Sequence, residues 1–115
     1  MYYNLVHMKN MLNLGDFEQI LLLAIMRLER EGAYGVSIRD EIAKHTRRNP
    51  TPGAIYTTLE RLQSKGLVKS ETGEATAERG GRAKRYYTVT KLGRDTLKEV
   101  QSDYRNLAKG LSLYA

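Results

Sequence analysis

The hydrophobic period of this chain changes at Gly66, and that change decides which folds remain open to it. Before Gly66 apolar residues recur at helical spacing, whereas residues 67–71 and 84–89 are rich in the β-branched and aromatic residues typical of strands. Helical spacing returns after Thr90. The predicted order is therefore three helices, a two-stranded hairpin and a last helix, and 115 residues suit one small domain.

The first predicted helix begins at Asp16, which is placed to cap it. One face carries apolar residues at helical spacing, namely Phe17, Ile20, Leu21, Ala24, Ile25 and Leu28. Leu22, Leu23 and Met26 fill much of the remaining circumference, which is more than the single apolar stripe of a surface helix. We therefore expect this helix to be covered on two sides.

The next two helices have recognisable start and stop signals. Ser37 is the expected N-cap of the second helix. Thr51 followed by Pro52 starts the third, because proline lacks only an N–H that would be unpaired at that position. Lys65 followed by Gly66 ends it. Its inward stripe is Ile55, Leu59 and Leu62.

The last helix is expected to begin after Thr90 as its N-cap. Its apolar residues are separated alternately by three and four positions, which is a heptad seam. They are Leu97, Val100, Tyr104, Leu107, Leu111 and Tyr114. Such a seam on so small a core would leave an apolar stripe exposed unless another surface covers it.

The net charge of +6 is concentrated in the middle of the chain. Residues 39–91 hold twelve basic and six acidic side chains, whereas residues 1–38 sum to −1 and residues 92–115 to +1. Residues 79–91 carry five basic side chains and no acid. A polyanion is the natural partner of such a surface, because each phosphate that it neutralises releases counterions. A solvated basic hairpin without a ligand is the alternative.

Composition removes most enzymatic classes. The chain has no cysteine and only two histidines, His7 and His45, which excludes thiolate chemistry and a histidine-rich metal site. The double glycine of the hairpin, Gly80-Gly81, lacks the Gly-Lys-Ser/Thr sequence of a phosphate-binding loop. We therefore predict a non-enzymatic protein with no cofactor, no metal and no membrane partner. We also predict that it is cytoplasmic, since the N-terminus lacks a signal-peptide pattern.

Several motifs in order resemble those of the PadR family of bacterial transcriptional regulators. The motifs are Tyr34-Gly35, Gly-x-x-Tyr-x-x-Leu-x-x-Leu from Gly53 to Leu62, Lys65-Gly66-Leu67-Val68, and Gly80-Gly81-Arg82 leading to Tyr86-Tyr87. The similarity covers about residues 14–100 and is closest to the short branch with one C-terminal helix. It implies an α+β, mainly helical fold: a winged helix-turn-helix of three helices and a two-stranded wing, with a C-terminal dimerisation helix.

This resemblance implies sequence-specific binding to double-stranded DNA, with the third helix in the major groove and the wing beside it. The outward residues of that helix are small, hydroxyl-bearing or basic, as base edges and phosphates require. Tyr56 has two interpretations, a phosphate donor or a core ring with an exposed hydroxyl. The predicted DNA-binding residues are Arg39, Lys44, Thr51, Gly53, Ala54, Tyr56, Thr57, Thr58, Arg61, Arg79, Gly80, Gly81, Arg82, Lys84 and Arg85.

The heptad seam and the surplus apolar side of the first helix predict a homodimer, in which each surface covers the other across a two-fold axis. The predicted interface residues are Leu22, Met26, Leu97, Val100, Tyr104, Leu107 and Leu111. Packing of the two helices within one chain is the alternative. A dimer would bind a palindromic operator, because its two recognition helices enter successive major grooves.

The chain divides into residues 1–13 as an arm or extra helical turn, residues 14–90 as the winged helix and residues 91–115 as the dimerisation helix. The function expected is a repressor of its own or a neighbouring promoter, with a small aromatic effector at the dimer interface as an added hypothesis. A winged helix that binds only proteins, and not DNA, is the alternative function.

Overall fold

The computed structural model describes residues 13–75 and 83–113, and within them the chain forms four helices and one antiparallel hairpin. The helices and strands are α1 (Asp16–Arg27), α2 (Gly35–His45), α3 (Pro52–Ser64), β1 (Val68–Ala75), β2 (Ala83–Val89) and α4 (Lys91–Ala108). This is the predicted order, and the winged helix-turn-helix is confirmed. None of these four helices has the length and apolar character needed to cross a bilayer.

The start of α1 differs from the prediction, because its N-cap is Gly15 and Asp16 is already the first helical residue. The Gly15 N–H donates to Glu18 Oε1 at 2.7 Å, so the carboxylate caps the helix from its third position. Lys65 Nζ, at the end of α3, bonds both oxygens of Glu18 at 2.8 and 2.9 Å. Glu18 is buried, and this pairing satisfies its charge while joining α1 to α3.

The start of α2 was predicted too late. The helix begins at Gly35 with Tyr34 as its N-cap, and the cap bond runs from the Tyr34 N–H to the Ser37 hydroxyl at 2.9 Å. That hydroxyl lies 3.0 Å from the Gly32 carbonyl, to which it can donate. Ser37 therefore does cap this helix, but from inside its first turn.

The signals at both ends of α3 and at the start of α4 are confirmed. Thr51 Oγ1 accepts from the Ala54 N–H at 3.1 Å, and Gly66 follows the helix with a left-handed φ of +76°. Thr90 Oγ1 accepts from the Gly93 N–H at 3.0 Å and lies 2.7 Å from the Gly66 carbonyl. The threonine that starts α4 is thus also bonded to the loop that ends α3.

One core underlies all the elements. Its fully buried side chains come from the three helices of the helix-turn-helix and from the residue just before β1, and they are Leu21, Leu22, Ile25, Ile38, Ile42, Ile55, Leu59, Leu62 and Leu67. Two adjacent α1 residues, Leu21 and Leu22, have no exposed surface, whereas Leu23 is 44% exposed, so the expectation that α1 is covered on two sides is met only in part within the protomer.

The hairpin is anchored to the helices through β2. Its register pairs Val68 with Val89 and Glu71 with Tyr86, and becomes irregular between Thr72 and Ala75. The Tyr87 N–H donates to the Ala33 carbonyl at 2.8 Å, which ties β2 to the α1–α2 connector. The base of the wing is therefore fixed relative to α2.

Within the described part of the chain, three residues of α4 between Arg94 and Gln101 connect the helix to the rest of the protomer. Leu97 is buried, Arg94 pairs with Glu29 at 2.6 Å, and Gln101 bonds Gln19 at 3.2 Å. The helix ends at Ala108, shortly before Gly110 with a φ of +81°.

The prediction that the helix includes Leu111 is therefore wrong, because the left-handed glycine precedes it. Tyr114, the last member of the predicted seam, lies outside the described residues.

Candidate nucleic-acid interface

Helix α3 presents one face of small and polar side chains to solvent. Gly53, Ala54, Thr57 and Arg61 are all exposed. No atom outside its own chain neighbours and the helix backbone lies within 4 Å of the position where a Gly53 Cβ would stand. The leading turn of α3 is therefore open enough for another molecule to approach its backbone closely.

Thr58 does not belong to this face. It is 5% exposed, because it lies three residues after Ile55 and four before Leu62, on the core stripe of the helix. The prediction that its hydroxyl faces outward is wrong. Its burial leaves Thr57 as the exposed threonine of the pair.

The N-terminus of α3 has the character of an anion-binding helix end. Thr51 is exposed and uses its side-chain oxygen in the cap, and Pro52 at the first position has no N–H. The first turn contains no acidic residue, so the positive end of the helix dipole is not neutralised within the turn.

The cations of α2 divide into two kinds. Arg39 Nε donates to the Pro50 carbonyl at 3.1 Å and its guanidinium reaches Asn49 Oδ1 at 3.5 Å, so Arg39 holds the connector that leads into α3. Lys44 is exposed on the same helix. Arg39 thus positions the start of α3, whereas Lys44 is available to an external anion.

The described part of the wing is organised around aromatic rings. Lys84 Nζ lies 4.1 Å from the centre of the Tyr34 ring, a cation–π contact, and Tyr34 meets Tyr86 edge to face at 5.8 Å. The Tyr86 ring lies so close to Gly32 that a Cβ there would stand 2.9 Å from Tyr86 Cε1. Arg85 is exposed. Four predicted contacts, Arg79, Gly80, Gly81 and Arg82, lie outside the described residues.

Tyr56 combines a packed ring with an accessible edge. A Cβ on Gly35 would lie 2.6 Å from the Tyr56 hydroxyl, so the ring covers the start of α2, yet Tyr56 remains 52% exposed. Burial raises the pKa of Tyr87 above its ordinary value, the Arg85 charge opposes this rise, and Tyr56 and Glu60 add to it. Tyr56 therefore lies on the side of α3 that faces the wing.

Several cations of the molecule are neutralised by acidic side chains. Five pairs between a lysine or arginine and a carboxylate occur within the described ranges, namely Arg27–Glu41, Arg48–Asp16, Lys65–Glu18, Lys91–Asp95 and Arg94–Glu29, and His45 also lies 3.2 Å from Glu41. By contrast Lys44, Arg61, Lys84 and Arg85 form no ion pair with any described residue. Cations without an ion pair to a described residue thus occur on α2, α3 and β2, and also elsewhere, for example Lys98 and Arg105 on α4.

One residue of this surface was absent from the predicted site. Glu60 is exposed and lies one turn after Tyr56, and it forms no ion pair in the part of the chain that the structure describes. The helical position of Glu60 relative to Ile55 and Leu62 is the sequence signal that places it on the outward face.

The residues predicted for the dimer interface fall into two groups. Leu22 and Leu97 are 0% and 4% exposed and belong to the core of the protomer, so assigning them to the dimer surface was wrong. Their burial follows from the intramolecular contact of α4 with α1. Met26 and Val100 are partly buried against that core. The members that remain exposed are Tyr104, Leu107 and Leu111.

A groove between α1 and α2 lies on the same side of α1 as its exposed leucine. Its volume is about 330 Å³, and Ile20, Leu23, Ala24 and Ile42 form its apolar part. Leu23 is 44% exposed. At its rim Arg27 donates to Glu41 at 2.7 Å, and this bond lowers the pKa of the Glu41 carboxyl from its ordinary value.

Known proteins share both the sequence pattern and this fold. Transcriptional regulator Rv3488 of Mycobacterium tuberculosis is 36% identical over 76 residues, and the match spans 66% of each protein. A PadR family transcription regulator from Clostridium difficile R20291 superposes with a TM-score of 0.64 at 27% identity, over 81% of this chain and 92% of that one. A PadR-like transcription factor from Bacteroides fragilis, 23% identical, shares the fold over 100% of both chains with a TM-score of 0.67.

The profile of the Transcriptional regulator PadR-like family matches residues 22–99, which include the second half of α1, all of α2 and α3, both strands and the first half of α4. The fold, the exposed α3 and the unneutralised cations beside it agree with that match. This chain therefore belongs to the PadR-like family of transcriptional regulators, which bind DNA and are not enzymes.

Proposed function

We propose that this protein is a dimeric, sequence-specific repressor of its own or a neighbouring promoter, which binds a palindromic operator through α3 and the wing. The observation that carries the proposal is that Lys44, Arg61, Lys84 and Arg85, on α3 and on the two elements beside it, form no ion pair with any described residue. Such a surface attracts phosphates and releases their counterions.

In this proposal α3 enters the major groove with its small leading turn first. Gly53 and Ala54 allow close approach, and the Thr57 hydroxyl and methyl face base edges. Arg61, one turn further along, contacts phosphate or guanine. The exposed hydroxyl of Tyr56 donates to a phosphate on the side towards the wing.

The backbone is held from both sides of α3. Lys44 on α2 and the β2 residues Lys84 and Arg85 supply charge from exposed or half-buried positions. The wing-tip residues Arg79 and Arg82, beside a double glycine, suit a narrow minor groove. These contacts position the protein, whereas α3 carries the sequence preference.

Dimerisation supplies the second half-site. Tyr104 and Leu107 are 56% and 81% exposed on the part of α4 that extends past the core, and the α1–α2 groove offers an apolar acceptor at Leu23. Mutual docking of α4 of one copy beside α1 of the other covers both. The proposal requires that the two α3 helices of this dimer lie about 34 Å apart, because they enter successive major grooves.

The same apolar surface suits a small aromatic effector, because Tyr104 offers a ring for stacking beside Leu107. Binding there would change how the two copies pack and so release DNA. Titration of phenolic and cationic aromatic compounds should raise the melting temperature and dissociate the DNA complex. If no compound changes either the melting temperature or DNA binding, the protein has no aromatic effector of this kind.

The central experiment measures binding to a fluorescent duplex from the region upstream of the protein's own gene, with a shuffled duplex as reference. We expect the affinity to fall by roughly 10³-fold between about 50 and about 200 mM salt if about six phosphates are contacted. Arg61→Ala should weaken binding by about tenfold. Lys98→Ala removes the same charge from an exposed position of α4 and should have no effect.

The alternative function gives a different result. A winged helix that binds only proteins would show no preference for the upstream duplex over the shuffled one. The double variant Lys84→Ala with Arg85→Ala would then bind both duplexes with the same affinity as the wild type. Circular dichroism of each variant ensures that any loss of binding reflects the surface and not the fold.

A further inference from the structure

Glu60 is the one acidic residue in the sequence of α3, and it lies on the face directed away from the core. The helix turns by about 100° per residue, so Glu60 lies about 45° to one side, and Thr57 about 15° to the other side, of the direction opposite the Ile55, Leu59 and Leu62 stripe. Gly53 lies between these two directions, about two turns before Glu60 and about one turn before Thr57. A helix that enters a groove with this face would bring the Glu60 carboxylate to the base edges.

The carboxylate has no partner of its own along the helix. The residues three and four positions away, which could pair with it, are Tyr56, Thr57, Gln63 and Ser64, and none of them is a cation. Five other acids, including the exposed Asp16 and Asp95, do form ion pairs. Glu60 therefore forms no ion pair with any described residue, and the same is true of Arg61 on its own helix and of Lys84 and Arg85 on β2.

A negative charge at this position opposes binding to DNA in general. It repels phosphates and the oxygen and nitrogen acceptors that guanine and thymine present in the major groove. Cytosine offers the best matching group, because it presents its N4 amino group there as a donor with one neighbouring acceptor, the O6 of the paired guanine. Adenine also has an amino group, but that group lies between two acceptors, its own N7 and the O4 of the paired thymine.

We propose that Glu60 is a specificity-determining residue, which accepts a hydrogen bond from the N4 amino group of a cytosine in each operator half-site. Its charge at the same time weakens binding to DNA that lacks a cytosine at that position. Specificity thus arises from a repulsive element as well as an attractive one. This inference rests on the proposed function, in which α3 occupies the major groove.

The experiment first selects bound sequences from a pool of random duplexes with the wild-type dimer and with Glu60→Gln. The selected wild-type site should contain one fixed cytosine in each half-site, and that position should lose its preference in Glu60→Gln. The glutamine amide has both a donor and an acceptor, so it tolerates other bases. Glu99→Gln removes the same charge from an exposed position of α4 and should select the wild-type site.

The second measurement replaces that cytosine with thymine in both half-sites. Wild-type affinity should fall by about tenfold or more per half-site, because the thymine O4 faces the carboxylate, whereas Glu60→Gln should lose less than threefold. Binding of Glu60→Gln to a shuffled duplex should rise by about threefold or more, since a repulsive charge is gone.

Three results would contradict the proposal. They are a wild-type site without a fixed cytosine, equal losses for wild type and Glu60→Gln on the thymine duplex, and a fixed adenine in place of cytosine. In each of these cases the wild type still selects a site, so the proposed function stands while Glu60 loses its role. Failure of the wild type to select any site would instead overturn the proposed function and this inference with it.

Discussion

Gly93, the third residue of α4, is the most tightly enclosed of the described glycines. A Cβ there would overlap the Leu67 carbonyl oxygen and stand 2.8 Å from Val89 Cγ1. The Leu67 carbonyl cannot easily withdraw, because it also accepts from the Thr90 N–H at 3.0 Å. The absence of a side chain at this position therefore lets α4 start directly against the base of the wing.

Gly93→Ala should lower the free energy of unfolding by about 3 kcal/mol, because the added methyl group overpacks a site bounded by backbone. Helix propensity alone predicts the opposite sign, a gain of about 1 kcal/mol. Gly53→Ala is the matched control, since its Cβ would meet nothing within 4 Å, and it should leave stability unchanged or higher. Urea denaturation of both variants decides between packing and propensity, and equal stabilities would refute the packing argument.

Single residues also show where sequence reasoning failed. Thr58 was assigned to the outward face because it is polar and adjacent to Thr57, yet the helical period places it on the core stripe. Glu60 is absent from the predicted DNA-binding residues because cations, and not acids, are expected to contact phosphates. In both cases residue chemistry was given more weight than helical position, and position is what the structure follows.

At the scale of elements, the rings of Tyr34 and Tyr86 connect the wing to the helix-turn-helix. Tyr34 precedes α2 and contacts Lys84 and Tyr86 of β2, while the Ala33 carbonyl next to it accepts from the β2 backbone. A side-chain contact and a backbone bond at adjacent residues together fix the direction in which the hairpin leaves the core.

Tyr34→Leu should therefore disturb DNA binding more than stability. Loss of the ring removes contacts worth about 1 kcal/mol and releases Lys84, so the slope of log affinity against log salt should fall by about one. Tyr34→Phe keeps the ring and should behave as the wild type. Anisotropy titrations over a salt series measure the slope, and an unchanged slope in Tyr34→Leu would show that the wing does not depend on this ring.

Element boundaries could be predicted where one residue carries the signal. Thr51 with Pro52 and Lys65 with Gly66 fix the ends of α3 through local chemistry. The start of α2 could not be located so well, because Ser37 forms the same kind of bond from inside the helix as it would from the cap. The spacing of apolar residues predicts an α4 that continues to Leu111, because spacing contains no information on the left-handed backbone at Gly110 that follows the helix.

At the scale of the whole molecule, the exposed apolar side chains in the second half of α4 are the main feature that the described part of one protomer does not explain. The spacing of apolar residues predicted a seam, but not which members would be used within the chain. Leu97 is buried in the protomer's own core, whereas Leu107 is 81% exposed. That division depends on where α4 crosses α1, a tertiary property that spacing alone does not contain.

Leu107→Glu should weaken self-association by about tenfold or more, because a leucine that becomes buried contributes about 1.5–3 kcal/mol. Leu23→Glu, at the α1–α2 groove, should have a similar effect if the two surfaces meet. Val36→Glu alters another exposed apolar residue, on α2, and is the control. Sedimentation velocity over a range of concentrations gives the association constant, and a wild type that remains monomeric throughout would exclude the dimer.

The open space around Gly53 has a consequence for how such regulators diversify. No neighbouring atom constrains a side chain there, while the residues that hold α3 in place lie on its opposite side. Substitution at the leading turn can therefore change which operator is chosen without a compensating change in the core. A lineage can retarget this scaffold to new promoters one residue at a time, and a protein engineer can randomise the same turn for the same purpose.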